Sequence, residues 1–285
     1  MALEINRLGG ALGAEVRGLD LSEPLGGNLL ETVRQAFIDH SVLVFRDQTL
    51  SPEQLITFSG LFGESVPHLL EGFQHEENPN VFLISNVQED GKPKGAIYAG
   101  QYWHSDLSYM PLPALGSMLN AVEIPKTGGD TMFANMYLAY ETLSDTMKTL
   151  IADLQAVHDY THAYETVFSK LPGRPPMTEA EKSKVPPVTH PIVRTHPDSG
   201  RKALYVNPGF TAGIVDMTED EGRAILNFLF AHATRPEFIY RHQWQPRDLV
   251  FWDNRCLMHR AVADYDMAEP RHMHRATIQG DAPHS

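Results

Sequence analysis

Short runs of apolar and β-branched residues recur along the chain and predict a protein rich in β-strands. The run 42–45 stands before a polar turn, and the run 81–86 is bounded by Pro79 and by an acidic turn at 89–91. Runs of this length with Gly, Pro, Asp or Asn at their borders are typical of strands. Five further segments have the same character: 116–125, 130–135, 203–207, 238–244 and 248–253.

Four segments show the three-to-four spacing of apolar residues that predicts amphipathic helices. They are 29–40, the segment that begins at Ser51, 145–154, and the segment that begins at Thr218. Ser51 and Thr218 are each followed three residues later by Gln or Glu, which matches the capping box at the start of a helix. Because helices and strands do not alternate regularly, a β-sandwich or barrel with flanking helices is favoured over a doubly wound α/β sheet.

The chain has 285 residues, a length that suits one large domain or two small ones. No shift in composition marks a boundary, so we expect a single domain over residues 1–285. The segment 172–187 contains five prolines and alternating charges, which predicts a surface loop within 165–190. This pattern leaves open whether the loop is inert or forms a lid over an active site.

Charge and cysteine content narrow the classes of function. The 36 acidic and 23 basic residues give a net charge of −13, which argues against a nucleic-acid-binding protein. The single cysteine cannot form an internal disulfide or a thiolate metal cage, so we expect a reducing, cytoplasmic location. No signal peptide and no apolar run of about 20 residues is visible, and no membrane association is expected. The 14 histidines are the unusual feature that remains.

His104 and Asp106 stand two positions apart within the motif WHSD at 103–106. In an extended segment such residues project to one face, where an imidazole nitrogen and a carboxylate oxygen can bind the same ion. His259, after the apolar strand 249–252 and the turn 253–255 that is expected to orient it, is the best candidate for a third ligand. Two histidines and a carboxylate on a β scaffold match the facial triad of non-haem Fe(II) oxygenases. His-x-Asp alone is common, and a purely structural role also fits it.

Two further residues suit the binding of a dicarboxylate beside that metal. Arg275 lies 16 residues after His259, close enough to return to the metal through a turn and one strand. A guanidinium binds a carboxylate through two charge-assisted hydrogen bonds. Thr131, in the motif GGDT at 128–131, can add a hydroxyl hydrogen bond to the same carboxylate.

With these motifs in this order, the chain resembles the taurine and 2,4-dichlorophenoxyacetate dioxygenases, which depend on Fe(II) and 2-oxoglutarate. The resemblance covers most of the chain and is carried by 13–16, 43–48, WHSD at 103–106, GGDT at 128–131, WDNR at 252–255 and HRATI at 274–278. It implies a double-stranded β-helix, or jelly roll, with His104, Asp106 and His259 as iron ligands. It also implies that Thr131 and Arg275 hold the distal carboxylate of 2-oxoglutarate. A further arginine, Arg271, is expected near the oxoacid or the substrate carboxylate.

The resemblance implies that O2 and 2-oxoglutarate are used to hydroxylate a small organic acid, with release of succinate and CO2. The expected acids are a sulfonate such as taurine, an alkyl sulfate or an aryloxyalkanoate. His68 falls where the taurine enzymes place a histidine against the sulfonate. Gly100 and Tyr102 lie where those enzymes carry a polar Asn, so we expect a larger or more aromatic pocket than one specific for taurine.

Two other classes of function remain open at this point. One is a non-catalytic jelly-roll binding protein with a vestigial metal site, although the intact triad and Arg275 speak against it. The other is a Zn(II) hydrolase that uses the same triad, which metal content and O2 dependence would distinguish. A homo-oligomer is expected in each case, since it is the default for soluble enzymes.

Overall fold

Strands outnumber helices in the computed structural model of the protein, which describes residues 3–67, 72–170 and 177–285. In chain order the strands are β1 (Glu4–Arg7), β2 (Ala14–Arg17), β3 (Val42–Phe45), β4 (Phe82–Ser85), β5 (Gln88–Glu89), β6 (Lys92–Pro93), β7 (Ala114–Glu123), β8 (Thr131–Asn135), β9 (Gln155–His158), β10 (Val188–Pro191), β11 (Val193–Thr195), β12 (Lys202–Leu204), β13 (Thr211–Ile214), β14 (Ile239–His242), β15 (Leu249–Asp253), β16 (Leu257–Ala261) and β17 (His272–Gln279). The helices are α1 (Gly27–His40), α2 (Pro52–Gly60), α3 (Met136–Glu141), α4 (Asp145–Ile151), α5 (Tyr160–Thr166), α6 (Glu179–Lys184) and α7 (Glu219–Ala233), with 3-10 turns at Phe168–Lys170 and Pro236–Phe238.

Two sheets form the centre of the fold. The large sheet has the strand order β1-β2-β3-β15-β7-β17-β4, and the small sheet has the order β14-β8-β16. In the large sheet β2 and β3 are parallel, whereas the other neighbours are antiparallel. Leu119 and Val250 of the large sheet share one apolar cluster with Phe133 and Leu257 of the small sheet. The two sheets therefore pack face to face, with this cluster between them.

Strand β3 shows why the central strands are apolar without interruption. Val42 and Val44 face the cluster between the sheets, and Leu43 and Phe45 face the opposite side of the large sheet. All four side chains are fully buried. Successive residues of a strand alternate between its faces, so a strand covered on both sides needs apolar residues at every position.

Helices α1 and α2 cover the outer face of the large sheet. Phe37 of α1 stacks on Phe251 of β15, with ring centroids 3.8 Å apart. Ser51 and Gln54 form the capping box that begins α2. Burying an aromatic or branched side chain of this kind contributes about 1.5–3 kcal/mol, so this packing stabilises the helices more than their own propensity does.

Helices α3, α4 and α7 cover the outer face of the small sheet. Ala134 of β8 and Met258 of β16 share an apolar cluster with Ile151 of α4 and Leu229 of α7. The capping box of Thr218 and Glu221 begins α7, as predicted from the sequence. In the described part of the chain, no helix is long and apolar enough to cross a membrane.

The predicted strands and helices are present, with differences of a few residues at their ends. The segment 165–190 differs from its prediction as a loop, because it includes helix α6 and parts of α5 and β10. The sequence signal for α6 is the capping box of Thr178 and Glu181. Residues 171–176 within this segment lie outside the described residues.

Candidate active site

His104 and His259 are held opposite each other by a pair of backbone hydrogen bonds. The N–H of His104 donates to the carbonyl of His259 at 3.0 Å, and the N–H of His259 donates to the carbonyl of His104 at 2.8 Å. Strand β16 carries His259 and is itself paired along its length with β8. The segment 103–106 is therefore fastened to the small sheet at the residue that carries the first imidazole.

Asp106 brings a carboxylate to these two imidazoles. Its Oδ1 lies 3.4 Å from His104 Nε2, and its Oδ2 lies 3.6 Å from His259 Nε2. One ligating atom from each of the three side chains lies within 4.8 Å of the others, and all three residues are buried. The structure thus brings together the three residues that the sequence predicted as metal ligands.

The hydrogen bond at Nδ1 of His104 indicates that this site can hold a cation. His104 Nδ1 lies 2.8 Å from the carbonyl oxygen of Tyr102, which can only accept, so Nδ1 carries the hydrogen. In the neutral ring, Nε2 then directs a lone pair at Asp106 Oδ1, which is also an acceptor. Two lone pairs at this distance are stabilised by a cation between them. The donor set of two imidazoles and one carboxylate is the set that suits Fe(II).

The charge of Asp106 is compensated inside the protein. Arg275 Nη2 lies 2.7 Å from Asp106 Oδ1. Burial alone would raise the pKa of Asp106, but Arg275, His259 and His104 outweigh it and hold the pKa well below its usual value. Burial also lowers the pKa of His259 well below the ordinary value of a histidine. The surroundings therefore favour an ionised Asp106 carboxylate and a neutral His259 ring. These are the forms of the two side chains that bind a metal.

A cavity with five polar side chains, called the polar cavity below, adjoins the metal ligands. The five are His104, Thr131, His259, Arg271 and Arg275, and the rest of its lining is apolar or glycine. The sequence predicted Thr131, Arg271 and Arg275 as the residues that hold the cosubstrate, and the structure places all three around this cavity.

Arg271 and Thr131 are both able to donate hydrogen bonds into the polar cavity. Arg271 is buried and donates through Nε and Nη2 to the carbonyl of Gly129, at 3.3 and 3.2 Å. Within the described residues, no carboxylate lies at ion-pair distance from Arg271. Thr131 Oγ1 accepts from Trp244 Nε1 at 3.1 Å, and an indole N–H can only donate. The hydroxyl hydrogen of Thr131 is therefore free for another acceptor.

An aromatic cavity adjoins the polar cavity. The two share Ala99, Gly100, His104 and Arg275, and Asp106 also lines the aromatic cavity. Its remaining walls are apolar or aromatic: Phe82, Tyr98, Tyr102, Leu107, Tyr109, Tyr160, Phe168 and Phe210. Gly100 and Tyr102, predicted to contact the substrate, both line this cavity. The third predicted contact, His68, lies outside the described residues.

Gly100 is a position that favours glycine. Its φ is +72°, and a Cβ atom built on it would lie 3.3 Å from Cε1 of His104. Its carbonyl also accepts a hydrogen bond from the N–H of Ala261 in β16 at 2.7 Å. The residue thus lets the chain pass directly over the ring of a predicted metal ligand.

Three residues of the site were not predicted as such. The hydroxyl of Ser117 donates to Asp106 Oδ2, and the indole N–H of Trp244 donates to Thr131 Oγ1. Asn254, in the turn that leads into the strand of His259, also accepts a hydrogen bond from the N–H of Asp106. The sequence signal for Ser117 is weak, since it is one polar residue within a largely apolar strand.

The family model described as "Taurine catabolism dioxygenase TauD, TfdA family" matches residues 4–277. The chain belongs to this family. It is 38% identical to the alpha-ketoglutarate-dependent 2,4-dichlorophenoxyacetate dioxygenase of Cupriavidus pinatubonensis, over 99% of both chains. It is 32% identical to the alpha-ketoglutarate-dependent sulfate ester dioxygenase of Pseudomonas putida, over 99% of this chain and 91% of the relative. The crystal structure of AAD-2 in complex with Mn(II) and N-oxalylglycine superposes with a TM-score of 0.84, at 37% identity and 99% coverage of both chains.

These similarities confirm the jelly-roll fold and the reaction class inferred from the sequence. The protein is a 2-oxoglutarate-dependent dioxygenase that uses Fe(II), 2-oxoglutarate and O2. The sequence left two alternatives open, a non-catalytic binding protein with a vestigial metal site and a Zn(II) hydrolase. The similarities to these dioxygenases favour neither of them.

Replacing Gly100 by Ala tests whether the close approach to His104 matters for metal binding. We expect Gly100→Ala to weaken the binding of Fe(II), measured by anaerobic titration, because the new methyl group displaces the His104 ring. Gly200→Ala is the matched control: Gly200 has a similar φ of +69°, but open space surrounds its Cβ position. Both variants carry a backbone strain of about 1–2 kcal/mol. Equal Fe(II) affinity in the two variants would contradict this role of Gly100.

Proposed function

We propose that the protein hydroxylates an aromatic organic acid of the aryloxyalkanoate class, with iron bound by His104, Asp106 and His259. The observation that carries this proposal is that the three side chains line two adjoining cavities of different character. His104 lines both, Asp106 lines the aromatic cavity, and His259 lines the polar cavity. One cavity offers hydrogen-bond donors for an anion, and the other offers aromatic walls. Fe(II) together with 2-oxoglutarate supplies the activation of O2 that oxidises a C–H bond of the substrate.

We assign 2-oxoglutarate to the polar cavity, with its distal carboxylate at Thr131 and Arg271. A buried guanidinium without a carboxylate partner is costly, and an anionic ligand would provide that partner. Thr131 adds one hydroxyl donor. Arg275 also lines this cavity, but its Nη2 is already paired with Asp106. Among the three residues predicted to hold the cosubstrate, Arg271 is therefore the main clamp, rather than Arg275 as the sequence suggested.

We assign the organic acid to the aromatic cavity. Rings on several sides can pack against an aryl group, in offset-stacked or edge-to-face contacts. Arg275 lines the same cavity and can bind the acid group of the substrate. The 38% identity to a 2,4-dichlorophenoxyacetate dioxygenase supports an aryloxyalkanoate more than a sulfonate or an alkyl sulfate. The polar side chain expected of a taurine-specific site is replaced by Gly100 and Tyr102.

The chain's own contribution to the reaction is orientation and the exclusion of water. The hydrogen bond to the carbonyl of Tyr102 directs Nε2 of His104 toward the other two ligands. The aromatic walls keep the reacting carbon in apolar surroundings, which limits side reactions of the activated oxygen. The charge of Arg275 keeps Asp106 ionised, so that it does not have to lose a proton when it binds the metal.

We propose that the start of the segment 165–190 closes the aromatic cavity, which favours the lid over the inert loop. Phe168 at the start of this segment, together with Tyr160 just before it, lines the cavity.

One domain over residues 1–285 is supported by the shared apolar cluster between the two sheets. A cytoplasmic location is supported by the buried, unpaired Cys256, and a homo-oligomer remains the default proposal.

The metal site is tested by spectroscopy without O2. We expect Fe(II) plus 2-oxoglutarate to produce a weak charge-transfer band in the visible spectrum, because both must bind at one site. His104→Ala should lose the band, since it removes one ligand. His162→Ala, which removes a histidine of α5 away from the triad, should retain it. A band of unchanged intensity in His104→Ala would disprove the assignment of this ligand.

The two arginines are distinguished by steady-state kinetics. Arg271→Ala should raise the KM for 2-oxoglutarate by about 10- to 100-fold, because charge-assisted hydrogen bonds worth about 1.5–3 kcal/mol are lost. Arg275→Ala should raise the KM for the acid substrate more than the KM for 2-oxoglutarate. Arg223→Ala, on the exposed surface of α7, serves as the control for general effects of losing a charge. If Arg275→Ala raised the KM for 2-oxoglutarate more than Arg271→Ala, the two assignments would be reversed.

The substrate class is tested by measuring succinate release with three groups of acids. We expect the highest kcat/KM with aryloxyalkanoates, because an aryl group can fill the aromatic cavity. Taurine and other alkyl sulfonates, and linear alkyl sulfates, provide the comparison. Faster turnover of a sulfonate or sulfate, or no turnover of any aryloxyalkanoate, would refute the proposed class.

A further inference from the structure

Three hydrogen bonds connect the backbone N–H of Asp106 to its own carboxylate. They run through the side chains of Asn254 and Ser117, which are both fully buried. We propose that Ser117 and Asn254 are positioning residues that fix the orientation of the Asp106 carboxylate toward the metal. This inference rests on the metal site proposed above.

The orientation of the Asn254 amide follows from its neighbours. Asn254 Oδ1 lies 3.1 Å from Trp252 Nε1 and 3.1 Å from the backbone nitrogen of Asp106. Both of these groups can only donate, so the amide oxygen must be the atom that faces them. The amide nitrogen then faces Ser117 Oγ at 3.1 Å and donates to it.

The direction of the Ser117 hydroxyl follows in turn. A hydroxyl has one hydrogen, and Ser117 Oγ already accepts from Asn254. Its hydrogen is therefore available to Asp106 Oδ2, which is 2.7 Å away and can only accept when ionised. A donor at this distance from a carboxylate forms a strong, charge-assisted hydrogen bond.

The backbone around Ser117 makes this contact rigid. Ser117 lies within β7, opposite Trp252 of β15 on one side and Thr277 of β17 on the other. The hydroxyl is therefore fixed to the centre of the large sheet, whereas Asp106 lies on a segment without regular structure. The contact connects a ligand on that segment to the most firmly paired part of the fold.

The consequence concerns how freely the carboxylate of Asp106 can turn. Ser117 Oγ donates to Oδ2, and Arg275 Nη2 lies 2.7 Å from Oδ1, so each oxygen has one donor from a different strand. Each oxygen keeps a second lone pair that can face a metal. Oδ1 lies 3.4 Å from Nε2 of His104, and Oδ2 lies 3.6 Å from Nε2 of His259. Without the Ser117 hydroxyl, the Oδ2 side of the carboxylate loses its donor and can turn away from the two imidazoles.

The test uses Co(II) as the probe, without 2-oxoglutarate, so that metal binding is measured apart from activity. Ser117→Ala should bind Co(II) about 10- to 100-fold more weakly, as is typical when a group that orients a metal ligand is lost. The visible bands of bound Co(II) should also change, because the freed carboxylate can adopt a different orientation at the metal. Ser117→Cys, which keeps a weak donor, should fall between the wild type and Ser117→Ala.

Ser108→Ala is the matched control. Ser108 is also a fully buried serine near Asp106, but its hydroxyl contacts His158 and Asn207. It should keep wild-type Co(II) affinity and spectrum. Unchanged affinity and bands in Ser117→Ala, or equal changes in Ser108→Ala, would overturn the inference. A wild-type protein that binds no Co(II) would instead contradict the proposed metal site.

Discussion

The buried carboxylate of Asp106 is the constraint on which the arrangement of the site depends. Removing an ion from water costs several kcal/mol unless charges and hydrogen bonds inside the protein replace the lost hydration. Here β17 supplies Arg275, and β7 supplies the Ser117 hydroxyl. Because these groups come from two different strands of the large sheet, the carboxylate is stabilised only when that sheet has formed. The ionised metal ligand therefore depends on the folded sheet.

Features that depend on residues close together in sequence could be predicted. The apolar run 42–45 is a strand buried on both faces, and the capping boxes of Ser51 and Thr218 begin helices α2 and α7. The two-residue spacing of His104 and Asp106 also placed their side chains correctly toward one point. The segment 165–190, expected to be a surface loop or lid, contains helix α6, whose capping box was not recognised among the prolines and charges around it.

Features that depend on distant residues could not be predicted from patterns along the chain. Asn254 lies 148 positions from the Asp106 amide that it binds, and Trp244 lies 113 positions from Thr131. The walls of the aromatic cavity extend from Phe82 to Arg275 in sequence, so no local signal marks them as a group. The different roles proposed for Arg271 and Arg275 also depend on distant residues. Both are arginines, but Arg275 is paired with Asp106, whereas Arg271 contacts the carbonyl of Gly129.

Arg275 belongs to both cavities and also touches Asp106. In the proposed arrangement its guanidinium pairs with Asp106 and with the acid group of the substrate, and it also lines the cavity assigned to 2-oxoglutarate. The binding free energies of the two ligands are therefore expected to be coupled through this side chain. If binding of the acid changes the affinity for 2-oxoglutarate by some factor, binding of 2-oxoglutarate changes the affinity for the acid by the same factor. A change in the aromatic walls that moves the acid by a fraction of an ångström will therefore be registered as a change in cosubstrate binding, although it touches no residue of the polar cavity.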